Sequence, residues 1–133
     1  MIVLDTHVAL WLALDSDVLG RRTRPIGMRA ASAKELAISA VSFWEVAMLI
    51  SKRRLRSSDP TKELRRQILD AGVIELPLTG EIAILAGELD SLRADPTDRF
   101  IAATAILNGA TLVTADERLL RWRHDLVRQN AEL

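Results

Sequence analysis

The chain has 133 residues, 18 Lys plus Arg against 18 Asp plus Glu, two His, no Cys and an apolar share of 49%. That length suits one compact domain spanning 1–133, able to bury well over half of its unfolded surface. Without cysteine there are no disulfides or thiolate metal sites, and with no net charge there is no chain-wide field for nucleic acid, so any polyanion must meet a local patch.

Along the chain, Ile2, Val3 and Leu4 form an unbroken apolar run of β-formers, the pattern of a strand buried on both faces of a parallel sheet. Asp5 ends the run, and Thr6 is placed to cap a helix that carries Val8 to Ala13. Ligands and chemistry in open α/β sheets lie at the carboxyl ends of the strands, so Asp5 stands where a site belongs. Gly20 with Arg21, Arg22 and Arg24 reads as a polar turn, Pro25 opens a second helix running to about Glu35, and Leu36 to Ser39 is a second strand. Ser42 caps a third helix with Phe43, Val46, Ala47 and Ile50 on one face, Glu45 in its first turn, and Lys52, Arg53 and Arg54 against its C-terminal dipole. Asp15, Asp17 and Lys52 keep every apolar run short of membrane-spanning length and no signal peptide is visible, so a cytoplasmic location without membrane attachment is expected.

Asp59 and Pro60 read as a cap and first-turn pair for a helix over Thr61 to Ala71, ended by Gly72. Val73 to Leu76 is the third strand, and Thr79 starts a helix carrying Ile82, Leu85, Ala86 and Leu89. Asp95-Pro96-Thr97-Asp98-Arg99 opens the next helix, whose Phe100, Ala103 and Leu107 form one stripe until Gly109. Thr111 to Thr114 is the fourth strand, followed at once by Asp116 and a short helix over Glu117 to Leu120. The tail from Trp122 to Leu133 carries no clear pattern. Strands alternate with helices, which implies an α/β fold with parallel pairing.

Three acids belong to the carboxyl edge by placement: Asp5 after the first strand, Glu45 beyond the second and Asp116 after the fourth. Asp98 joins them only if the segment from Thr79 crosses the sheet in the right sense. Each has a structural reading beside the functional one, since Asp95 suits an N-cap, Asp98 a first-turn dipole partner and Asp116 the cap of the short helix. Four converging carboxylates need a countercharge. Oxygen-only ligands favour Mg²⁺ or Mn²⁺, and such an ion with an activated water suits phosphodiester hydrolysis.

Other residues keep two readings. His7 is a base or a hydrogen-bonded structural residue, and His124 has no assignment. Trp11, Trp44 and Trp122 suit base stacking, core or subunit contact, with an interface favoured for Trp11 and Trp44. Two other classes compete: a Mg²⁺-dependent phosphatase or receiver domain, which wants a second acid beside Asp5 or a late lysine, and a binding module without catalysis.

The motifs add a resemblance to these readings. Val3-Leu4-Asp5-Thr6-His7, Ser42-Phe43-Trp44-Glu45-Val46-Ala47, Asp95-Pro96-Thr97-Asp98-Arg99 through Ala102-Ala103, and Leu112-Val113-Thr114-Ala115-Asp116 occur in an order that resembles PIN-domain ribonucleases of the VapC toxin type over nearly the whole chain. The resemblance implies a three-layer α/β/α sandwich over a central parallel sheet, endonucleolytic cleavage of RNA dependent on Mg²⁺ or Mn²⁺, inhibition by a cognate antitoxin, and a homodimer. It makes Asp5, Glu45, Asp98 and Asp116 the catalytic and metal-binding set, with Thr6, Thr114 and Asp95 in support. One departure is that many relatives place His-Arg before Asp-Pro, where this chain has Arg93-Ala94. A neutral chain with an acidic centre needs a positive rim for the RNA backbone, and Arg21, Arg22, Arg24, Lys52, Arg53 and Arg54 are its candidates.

Overall fold

The apolar runs do become strands. In the computed structural model, which describes residues 1–92 and 94–133, they are β1 (Ile2–Leu4), β2 (Leu36–Ser39), β3 (Ile74–Leu76), β4 (Thr111–Thr114) and β5 (Arg128–Asn130). All pair in parallel in the order β3-β2-β1-β4-β5. Between them lie α1 (Thr6–Ala13), α2 (Thr23–Ser32), α3 (Val41–Ser51), α4 (Thr61–Asp70), α5 (Gly80–Glu88), α6 (Pro96–Leu107) and α7 (Glu117–Arg121). Arg93, and with it the Arg93-Ala94 departure, lies outside the described residues. Among the described residues, no helix is long and apolar enough to cross a membrane.

Strand periodicity divides the core into two layers. Val3, Ala37 and Leu112, in register across three strands, face one side and pack with α5, α6 and the α7 region through Ala86, Ile101, Ala102 and Leu119. Leu4, Ile38 and Val113 face the other side and pack with Val8, Val46, Leu64 and Ile68 of α1, α3 and α4. The central strands are therefore apolar on both faces, and helices cover each, giving the expected α/β/α sandwich.

The tail that carried no pattern supplies the fifth strand. Arg128, Gln129 and Asn130 are polar and half-buried, as befits an edge strand held by the β4 ladder rather than by its own composition. Several boundaries also differ from the sequence reading. The second helix starts at Thr23, two residues before Pro25, and stops at Ser32 because Lys34 takes a positive φ of 57°. Pro60, not Asp59, occupies the N-cap of α4, and the Asp59 carboxylate instead accepts from the Gln67 side chain at 3.3 Å. In α6 the most deeply buried side is built from Ile101, Ala102, Ala103 and Ala105, while Leu107 of the expected stripe is exposed, because the helix is covered by α5 as well as by the sheet.

The topology positions a site. Leaving β1, the chain turns to β2 on one side, while β4 pairs on the other, so the strand order reverses between β1 and β4. That switch point opens a crevice at the carboxyl ends of β1 and β4. Asp5 and Asp116 follow those two ends.

Candidate active site

Asp5 is anchored by both oxygens. Its Oδ1 accepts from the Thr6 N–H at 2.8 Å and its Oδ2 from the Thr114 hydroxyl at 2.7 Å, while its own N–H donates to the Val113 carbonyl at 2.9 Å. Asp5 itself is therefore the N-cap of α1, a place expected for Thr6. Thr6 is the first helical residue, and its hydroxyl reaches across to donate to Ser42 Oγ at 2.8 Å. Ser42 correspondingly caps nothing: α3 begins at Val41 after Ala40, with no side-chain cap bond. Glu45 thus sits in the second turn of α3, where the helix dipole gives it little. These two differences share a cause, since a buried hydroxyl pair between α1 and α3 satisfies both side chains better than either helix end does.

A chain of donors fixes the crevice. The Asp116 N–H donates to Thr114 Oγ1 at 3.0 Å, and the Thr114 hydroxyl in turn donates to Asp5 Oδ2. Such relays strengthen each link by polarisation. Asp116 also caps α7 by accepting from the Arg118 N–H at 2.8 Å, so the capping and edge-placement readings hold together for this residue.

Asp98 reaches the same crevice because α6 crosses under the sheet and starts at its carboxyl edge. It lies in the first turn of α6 and is only 6% exposed, and the N-cap position belongs to Asp95. Asp95 makes no side-chain cap bond, and its carboxylate faces the Arg118 guanidinium at 3.9 Å. Burial, then the charges of Asp5, Asp116, Glu45 and Asp95 in that order, push the Asp98 carboxyl up to about 7. Burial also raises Asp5, against the Thr114 and Thr6 hydrogen bonds, and raises Glu45 against the pull of the Thr6 hydroxyl, with the Asp5 charge adding to it. Glu45 Oε1 is buried with no hydrogen-bond partner. The four acids feel one another, and at the rim the Arg118 guanidinium lies 3.4 Å from Asp116.

The donor set fits a hard divalent cation. It offers carboxylate groups alone: Asp5 and Asp98 are buried, Glu45 has an unpartnered oxygen, and burial with like charge raises these three in a way that a cation would reverse. Among the described residues, no three Asp, Glu or His side chains stand close enough to enclose an ion as they are. Mutual repulsion and the hold of Arg118 on Asp116 and Asp95 both act to spread them.

The cationic candidates divide. Arg21 and Arg22 are exposed, on a turn fastened to the carboxyl edge beyond β5: the Gly20 N–H donates to the Ala131 carbonyl at 2.8 Å and the Arg22 N–H to that of Leu133 at 2.8 Å. Glycine is required there, since a Cβ on Gly20 would stand 2.1 Å from the Leu133 carbonyl group. Arg24 is not free for RNA as expected, because its guanidinium is held by Asp15 at 2.5 Å and the Ser16 carbonyl at 2.6 Å. Lys52 and Arg54 line a groove of about 270 Å³ together with Trp44, Glu45 and Asp95, whereas Arg53 faces a different cavity beside Arg56. Trp44 is 57% exposed at that groove, and His7 is exposed near Trp11, with ring centroids 6.4 Å apart. Sequence reasoning missed the role of Arg118 at the rim. Its only trace in the sequence is its place two residues after Asp116.

Comparison with known proteins places this geometry. The family model described as PIN domain matches residues 2–124. The chain belongs to the PIN domain family. Ribonuclease VapC22 of Mycobacterium tuberculosis is 35% identical to it over 124 residues, which are 92% of each protein. Among solved structures, DNA-bound VapBC from Salmonella typhimurium superimposes with a TM-score of 0.70 at 16% identity, covering 96% of each chain. VapBC2 from Rickettsia felis, bound to a DNA fragment from its promoter, gives 0.66 at 20% identity, covering 98% of each. These structures share the PIN fold described above.

Proposed function

We propose that this PIN domain is an endoribonuclease that hydrolyses RNA phosphodiester bonds with a divalent metal, Mg²⁺ or Mn²⁺, and that it is the toxin of a toxin–antitoxin pair. The observation that carries the reading is the convergence of Asp5, Asp98, Asp116 and Glu45 from four elements on one crevice, two of them buried, with no ion pair to Asp5, Asp98 or Glu45 among the described residues. The identity to a named ribonuclease and the likeness to toxin–antitoxin complexes support it. Asp5 and Asp98 are the principal ligands in this reading, with Asp116 and Glu45 completing the set. When bound, the metal supplies charge for the phosphoryl oxygens and lowers the pKa of water.

The protein's own part is positional. Thr114 and the Thr6 N–H hold both Asp5 oxygens, so that carboxylate needs no reorganisation to serve as a ligand. Asp98 holds a proton for part of the time near neutrality and gives it up when positive charge arrives. Glu45 keeps one oxygen without a partner, available to accept a proton or a ligand bond. Asp95, at the N-cap of α6, anchors Arg118 at the rim. Lys52 and Arg54, with Arg21 and Arg22 further out, supply positive charge for the backbone of the RNA.

Two partners follow. An antitoxin that offers a basic side chain to the crevice would compete for the same acids. The second is another copy of this chain, as a homodimer. The deciding experiment is cleavage of a single-stranded RNA by the purified chain with added Mg²⁺ or Mn²⁺. Loss of cleavage in chelator and in Asp5→Asn and Asp98→Asn is expected, and full activity in any of the three overturns the reading.

A further inference from the structure

The turn after α7 carries a cationic cluster that the acid-centred reading leaves unused. Arg118, Arg121 and Arg123 line a cavity of about 420 Å³, walled by the Trp122 ring with Ser91 and Leu92 opposite. Three arginines in six residues on a surface turn usually mean a solvated face. Here the scaffold beneath them argues otherwise.

The turn is locked from inside. Trp122 is buried, its indole N–H donates to Ser91 Oγ at 3.3 Å, and its ring stacks on His124 at a centroid distance of 4.4 Å. From β5, the Arg128 guanidinium donates to three carbonyls of the same turn, those of Leu119, Trp122 and His124. One guanidinium thus satisfies backbone acceptors that the end of a short helix leaves open. Because Arg128 does this, the other arginines are not needed to hold the turn. Arg121 is 82% exposed and pairs only along its own helix, with Glu117 at 3.0 Å, and Arg123 is exposed with no ion pair among the described residues. Exposed arginines on a braced backbone lose less freedom on binding than arginines on a loose loop.

The cavity also joins the acidic crevice. Arg118 belongs to both, lining the cavity while its guanidinium lies 3.4 Å from Asp116 and 3.9 Å from Asp95. On the other side, Asp95 lines the groove that holds Lys52 and Arg54. The acids therefore lie between two cationic flanks, with Asp95 touching both. A guanidinium pair beside a carboxylate centre suits an anion that spans the centre, which a phosphodiester strand does.

We propose that the α7 turn is a phosphodiester-binding subsite, in which Arg121 and Arg123 hold a backbone phosphate of single-stranded RNA on the opposite side of the acidic crevice from Lys52 and Arg54. The inference rests on the nuclease reading, and deepens it by giving the strand a path: in along the Lys52 and Arg54 groove, over the acids, out against Trp122. Arg118 hands the strand from one flank to the other.

The test is fluorescence-anisotropy binding of a short labelled single-stranded RNA across a series of salt concentrations, with cleavage of the same RNA measured in parallel. Arg121→Ala combined with Arg123→Ala is expected to weaken binding roughly tenfold near 0.1 M salt and to lower the log–log salt slope by about 1.4, two contacts at about 0.7 each. The double Arg→Lys variant should restore the slope, since it restores the charge. Arg29→Ala, on the exposed side of α2, should change neither quantity. An unchanged melting temperature in the double alanine variant shows that the turn still folds. If the parent binds and cleaves RNA but the double alanine variant keeps its affinity and slope, the subsite is wrong and the nuclease reading stands, leaving the arginines to an acidic protein partner or to solvent. An equal loss in Arg29→Ala likewise overturns the subsite, as an effect of net charge alone. A parent that neither binds nor cleaves RNA overturns both.

Discussion

Two regions of this PIN domain gather acids, and they treat them in opposite ways. Around α4, Glu63 and Asp70 are both taken by Arg66, and Glu75 by Arg65 at 2.8 Å, all on the surface. At the carboxyl edge of β1 and β4, Asp5 and Asp98 are buried, Glu45 has an oxygen with no partner, and among the described residues the ion pairs there, from Arg118, reach Asp116 and Asp95 but none of these three. Acids with arginines at helix spacing are surface structure and contribute little individually. Acids buried together without a paired cation cost stability, and such a cost marks a site whose countercharge is supplied from outside. The contrast separates the two regions more sharply than a count of carboxylates does.

Mutation should break the contrast most strongly at the edge. Asp5→Asn or Asp98→Asn is expected to lower RNA cleavage by about a hundredfold or more, in line with loss of a charge-stabilising group in an active site. Asp70→Asn on α4 should leave cleavage unchanged in the same assay. Equal effects in the two regions would remove the distinction.

The support behind Asp5 comes next. Thr114→Val keeps the shape but removes the donor to Asp5 and the acceptor for the Asp116 N–H. About ten- to a hundredfold loss in activity or metal affinity is expected, as for other groups that orient a ligand. Kinetics at saturating and limiting Mn²⁺ would separate the two contributions.

Stability should move in the opposite direction from activity. Asp98 titrates near 7 in the folded chain and at its ordinary value of 3.8 when unfolded, so the native state holds its proton more tightly. With metal absent, stability is therefore complete below about 4 and falls as pH rises through 7. The melting temperature should drop by a few degrees over that interval, and Asp98→Asn should reduce the drop, leaving the smaller part due to Asp5 and Glu45, and melt higher than the parent at pH 8. A parent that gains stability between pH 4 and 7 would contradict the origin assigned to the shift. The smallest change is expected from Arg66→Ala, which removes two exposed ion pairs of α4 and should shift melting by no more than a surface substitution does.

How much of this was legible in the sequence follows the same physics. β1, β2 and β4 could be read because strands covered on both faces must be apolar throughout, whereas β5 could not, because Arg128, Gln129 and Asn130 owe their place to a neighbour's ladder. The edge acids Asp5 and Asp116 were readable from position alone, one directly after β1 and the other two residues past the end of β4. Asp98 was not, since its place depends on α5 and α6 carrying the chain from β3 across to β4. Caps were misassigned where a partner distant in sequence competes for the side chain, as Ser42 does for Thr6 and Gln67 for Asp59. The same holds for Arg24, lost to Asp15, and for Arg128, whose three carbonyl partners have no sequence signature.

The central claim is that acids separated along the chain act as one cation site, and a calorimetric titration of the metal-free protein with Mn²⁺ at pH 8 tests it most directly. Saturable binding by the parent, weakened at pH 6 and lost in both Asp5→Asn and Asp98→Asn, is the predicted result. Binding that survives unchanged in either variant, or a parent that takes up no Mn²⁺, would contradict it.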